Sequence, residues 1–185
     1  MKKYTALEIH ERMTALGITV PIDFHLVGIR SKASVPDKFD DHFYIIKERS
    51  VVGLSPYDCT TNPGEYWLKN LLNPKGAALL VADKQYPNSW QIGTHKGYEA
   101  LVQCRPVSVY RDADKDEFAE ETSTIDNGMF GINIHRANET IKSLLIGKWS
   151  AGCQVLANPF DFKALLFFCK QSGKGQFTYT LLKEW

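Results

Sequence analysis

The chain has 185 residues, 44% of them hydrophobic, which is enough for one domain with a sizeable core. Twenty-two basic residues face twenty-one acidic ones, and no basic block is interleaved with aromatics. That balance gives no electrostatic case for nucleic acid or an anionic membrane. The four cysteines form no C-x-x-C pair and the five histidines no H-x-H or H-E-x-x-H pattern, so zinc-ribbon, thioredoxin-like and metalloprotease motifs are excluded.

Residues Tyr4 to Leu16 set Leu7, Met13 and Leu16 among Glu8, Glu11 and Arg12, which predicts an amphipathic helix stopped at Gly17. The same charges, with His10, interrupt any apolar signal core. No secretory signal or transmembrane run is expected. Residues 1–20 then read as a helical extension of a single domain spanning 1–185. From Phe24 the pattern turns to short strand-like runs bounded by turn residues. They are "FHLVGIR", "HFYIIKE", "EYWLKNLL", "AALLVA", "SWQIG", "YEALVQC" and "VSVYR". Arg111 to Gly128 reads as a polar surface loop. Its Asp112, Asp114 and Asp116 resemble the start of an EF-hand loop, but Glu117 stands where the glycine belongs and Ser123 where the bidentate glutamate belongs, so no metal is expected. A late helix begins at Asn158 (N-cap) and Pro159, carries Asp161 in its first turn and ends near Gly173; "QFTYTLL" closes the chain as a strand. Cys104 and Cys169 read as buried small hydrophobes, and Cys59 as a residue of a polar turn. The composition of the whole is mainly β.

One stretch carries chemistry-bearing residues at close spacing, "GINIHRANETIKSLLIGKWSAGCQVL" (Gly131 to Leu156). In "GINIH" the isoleucines Ile132 and Ile134 share one face, and Asn133 and His135 the other. Cys153 follows Ser150, Ala151 and Gly152, small residues that leave room beside the sulfur. The Gly152 and Cys153 amides could point at one oxyanion. An imidazole beside a thiol takes its proton and makes a nucleophile for acyl transfer. The same residues also fit a strand histidine and a buried turn cysteine.

His135 followed 18 positions later by Cys153 in Ser150-x-Gly152-Cys153 resembles the active-site signature of the L,D-transpeptidases with a YkuD-type catalytic domain. "TTNPGEYWL" (Thr60 to Leu68) resembles that family's upstream Thr-Pro-x-Gly turn, which leads into a strand. The likeness covers roughly Val51 to Leu166. It implies a mainly-β sandwich or barrel with a few short helices, one N-terminal and one after the catalytic cysteine. It implies no cofactor, and a peptidoglycan stem peptide or muropeptide as partner. By the resemblance Cys153 is the nucleophile, His135 the base, and the Arg136 backbone carbonyl orients that base. Gly152 and Cys153 supply oxyanion donors and Ser150 shapes the turn. Two departures stand out. Ala151 replaces the family's histidine before Gly-Cys, and Gln154–Val155 replace an apolar residue followed by Arg or Asn. With no signal in the chain, action at a wall would need another delivery route.

Around the pair, Ser150, Ala151, Gln154, Asn133, His95 and Trp149 are the candidate substrate contacts. His95 lies in a turn, Asn133 shares the His135 face, Gln154 follows the nucleophile and Trp149 flanks its loop. Nothing selects Arg30 or Arg111 over ordinary surface arginines. The alternatives to stem-peptide acyl transfer are a thiol amidase or peptidase with another substrate, and a wall-peptide binding module without catalysis.

Overall fold

The computed structural model describes residues 1–33 and 35–185. In chain order its elements are α1 (Ala6–Ala15), β1 (His25–Arg30), β2 (Asp41–Lys47), β3 (Ser50–Val51), β4 (Tyr57–Thr60), α2 (Glu65–Lys69), β5 (Ala77–Leu80), β6 (Lys84–His95), β7 (Tyr98–Gln103), β8 (Val107–Asp112), β9 (Ile125–Gly128), β10 (Ile134–Arg136), β11 (Gln154–Leu156), α3 (Pro159–Gln171) and β12 (Phe177–Lys183). The protein is mainly β. Eight strands close into a barrel in the order β1-β12-β6-β7-β10-β11-β4-β2, with β2 returning to β1. Closure leaves these eight strands without a free edge. A separate three-stranded sheet, β5-β8-β9, stands beside it.

The loose alternation of β1, β2 and β12 has a physical cause: both of their faces are buried. Leu26, Phe43, Ile45, Tyr179 and Leu181 fill the barrel, while Val27, Ile29, Tyr44, Ile46 and Leu182 pack under α1 against Tyr4, Ile9 and Met13. Gly28 is required inside. A Cβ there would lie 1.9 Å from the Tyr179 hydroxyl. Helix α1 starts in a capping box between Thr5 and Glu8 and ends before Gly17, at φ +70°. Helix α3 starts as its sequence predicts, with the Asn158 side chain accepting from the Phe160 N–H, and packs on β10 and β11. No helix among the described residues is long and apolar enough to cross a membrane.

Four expectations are corrected. "EYWLKNLL" holds the short helix α2 and no strand: Gly64 is its extended N-cap, and Glu65 pairs with Lys69 one turn on. The "TTNPG" turn therefore leads into a helix. The end of the polar loop forms the edge strand β9, paired with β8, while Asp114 and Asp116 accept amides of their own loop. Cys59 is buried on β4. Cys104 lies just past β7, partly exposed, with its thiol on the Asn88 carbonyl at 3.5 Å.

Candidate active site

Strands β10 and β11 run parallel, with Ile134 opposite Gln154, His135 opposite Val155 and Arg136 opposite Leu156. Side chains alternate across a strand, so this register sends Ile134, Gln154 and Leu156 inward and leaves Asn133, His135, Cys153 and Val155 on the outer face. The predicted base and nucleophile thus come to one side of the barrel, His135 on β10 and Cys153 just before the neighbouring β11. Both line one cleft of about 540 Å³. Its walls are the barrel (His95, His135), the second sheet (Ala77, Ala78, Arg111), the segment Met129–Ile132 and the cysteine loop (Lys148, Trp149, Ala151, Cys153).

His135 is 2% exposed. Its Nδ1–H donates to the Arg136 carbonyl at 2.8 Å, and the Tyr98 hydroxyl lies 3.2 Å from the same nitrogen. Nε2 is then the unprotonated nitrogen. Burial pushes the His135 pKa down to about 3, the Arg136 carbonyl opposes this, and a charge on His95 would add to it, as the Lys96 and Arg136 charges do. Burial raises the Cys153 thiol, against the Asn133 N–H and the Lys96 charge. At rest the pair is a neutral imidazole and a neutral thiol, not an ion pair.

Cys153 Sγ accepts from the Asn133 N–H at 3.4 Å and donates to the Gly131 carbonyl at 3.4 Å. Among the described residues no hydrogen bond joins it to His135. The loop before it is fixed by glycine. Gly152 has φ +122°, and a Cβ there would meet the Ala78 carbonyl at 2.3 Å, so only glycine lets the loop dock on β5. Gly64 donates to the Ser150 carbonyl at 2.9 Å and the Trp67 indole to the Lys148 carbonyl at 3.1 Å, so the "TTNPGEYWL" segment buttresses the same loop.

Several assignments change. Ser150 is fully buried; its hydroxyl donates to the Cys153 carbonyl at 2.9 Å and accepts the Gly152 N–H at 3.2 Å. It shapes the turn and is not a substrate contact. The Gly152 amide is thereby occupied, and of the expected two donors only the Cys153 N–H has no hydrogen-bond partner among the described residues. Gln154 points into the barrel, where its Oε1 accepts from the Tyr179 hydroxyl at 2.9 Å, so it does not face substrate. The Asn133 side chain is spent on Gln103 and His95. His95, Ala151 and Trp149 do line the cleft, and Trp149 is 42% exposed. His95 ends β6 at a two-residue hairpin turn, Lys96–Gly97, with both residues at positive φ.

Tyr98 and Lys96 are cleft or His135 neighbours that the sequence does not single out. Only the strand pairings bring Tyr98 and Lys96 to His135, and no local pattern marks them. Arg111, indistinguishable by spacing, reaches the cleft from β8 with its guanidinium on Asp126 at 3.0 Å and over the Phe130 ring; Arg30 is buried elsewhere, on Thr61 and the Leu80 carbonyl. No protein-family model, curated protein or solved structure matches this chain.

Proposed function

We propose that the chain is a cysteine-dependent acyl-transfer enzyme acting on peptidoglycan stem peptides. The observation that carries this reading is the tautomer of His135. With Nδ1–H on the Arg136 carbonyl, Nε2 is a free base in the cleft that holds Cys153. In the proposed reaction the thiol proton passes to Nε2 as Sγ attacks a carbonyl carbon. The tetrahedral oxyanion takes the Cys153 N–H, and its collapse expels an amine that leaves with the proton from His135. The thioester then passes to a second amine, a cross-link, or to water, a hydrolysis. Because the resting pair is neutral, this proton transfer is coupled to attack. Lys96, Lys148 and the Asp126-paired Arg111 line the cleft, and among the described residues no carboxylate does, which suits a donor peptide bearing free carboxylates.

The test is incubation with purified muropeptides, reading products by mass beside a Cys153→Ala control. Cross-linked dimers or shortened stems, lost in the control, are expected. Products that persist in the control, or none at all, would overturn the reading. A binding module without catalysis is favoured by one observation, the Cys153 thiol engaged with Gly131 and not with His135. It predicts muropeptide binding with no product.

A further inference from the structure

The acyl-transfer scheme leaves the second histidine of the cleft, His95, without a role, yet its ring is held on two sides. The His95 ring lies on the His135 ring with centroids 4.3 Å apart and planes within 19°. Asn133 stands at its other side. The Asn133 Oδ1 accepts from the Gln103 backbone N–H at 3.0 Å, which fixes the amide's orientation and leaves Nδ2 facing His95 Nδ1, also at 3.0 Å. An NH₂ group only donates, so His95 Nδ1 must be a lone pair, and the neutral ring carries its proton on Nε2. That is the opposite tautomer from His135. Protonating His95 would set an Nδ1–H against the Asn133 amide hydrogens. Turning the amide over would relieve that clash only by breaking its bond to Gln103.

The surroundings act in the same direction. Lys96 of the hairpin and Arg136 of β10 are the cations whose charge reaches the rings, Glu139 is spent on Arg136, and Arg111 of β8, farther along the cleft wall, is paired with Asp126. Tyr98 meets His95 edge-on at 5.6 Å, and the Cys153 thiol is neutral. Burial and Lys96 hold the His95 pKa below its ordinary value.

We propose that His95 is a positioning residue for His135: an aromatic plate, locked neutral by Asn133, that lies face-on to the imidazolium formed when His135 takes the Cys153 proton. The plate exchanges no proton; the proton moves from Sγ to His135 Nε2 and the electron pair stays on sulfur. A cation over a neutral ring is attracted by the ring's face, whereas a second charged histidine at this distance would repel it. The role rests on the base-and-nucleophile reading of His135 and Cys153.

The experiment follows iodoacetamide alkylation of each cysteine by mass spectrometry from pH 5 to 9. His95→Ala is expected to slow Cys153 about tenfold at pH 7 and to displace its pH profile toward higher pH, the loss expected for one desolvated cation–ring contact. His95→Phe, which keeps the plate without the nitrogens, is expected to stay within about threefold of the parent. Equal slowing in both variants, or in neither, would overturn the proposal. Should the alanine variant fail to fold, nitrogen NMR of the unaltered protein decides: a His95 protonated on Nε2 and neutral at pH 6 supports the plate, and one protonated on Nδ1 sinks it. Asn133→Asp offers the complementary reading, since a carboxylate would accept an Nδ1–H and raise the His95 pKa. A parent protein whose Cys153 reacts no faster than Cys104 would fail the base-and-nucleophile reading itself, which separates the two failures.

Discussion

At the scale of single residues, the cysteine loop depends on Gly152 for two reasons that act together. Its φ of +122° suits glycine alone, and its missing Cβ lets the loop touch the Ala78 carbonyl. Gly152→Ala is therefore expected to destabilise the fold by roughly 1–3 kcal/mol, seen as a lower urea midpoint, and to bring Cys153 alkylation toward the rate of Cys104. An unchanged midpoint would show that the loop does not need this contact. The "SAGC" string made that glycine legible, since a small residue before a thiol in a turn has few other uses. Gln154 was not legible, although alternation contains the answer. Once Cys153 faces out, the next residue of the strand must face in, and Gln154 meets the Tyr179 hydroxyl that Gly28 leaves room for. The rule could not be applied without knowing that β11 is a strand, and a three-residue strand has no periodicity of its own.

Among the elements, the two helices with written-out termini were readable and the third was not. Thr5 and Glu8 announce α1, and Asn158 with Pro159 announces α3. Helix α2 has five residues, too few to separate a period of 3.6 from one of 2, and its stability comes from Gly64, Trp67 and the cysteine loop it supports. Strand β9 contributes a single apolar residue, Ile125, from an otherwise polar edge, so composition assigns it to the loop. The capping box of α1 is a local device whose effect is global, because this helix covers the outer face of β1, β2 and β12. Thr5→Ala removes the side-chain acceptor of the Glu8 N–H and is expected to cost about 1 kcal/mol. In a chain of this size that lowers Tm by about 2–4 °C in a thermal melt. A Tm unchanged within error would mean that α1 is held by its buried face alone.

For the molecule as a whole, barrel closure and the docking of α1 and α3 bury titratable groups that an open sheet would leave in water. All five histidines sit below their ordinary pKa, and burial is the largest cause in each: His10, His25, His42, His95 and His135. His25 falls to about 4 and His135 to about 3, from 6.5 in the unfolded chain. Between those values the unfolded state binds protons that the folded state refuses, so stability falls as pH falls from about 6.5. At pH 5 each of these two histidines costs roughly 2 kcal/mol by that linkage. Asp41 works in the opposite sense. Burial lifts its pKa to about 6 from 3.8, so the folded state protonates first and gains stability as pH drops through that interval. Its gain at pH 5, about 1 kcal/mol, offsets less than one histidine. His10, His42 and His95 add to the loss. The expected outcome is a urea midpoint clearly lower at pH 5 than at pH 7 at equal ionic strength, and an equal or higher midpoint at pH 5 would mean that the buried histidines take up protons without leaving the fold.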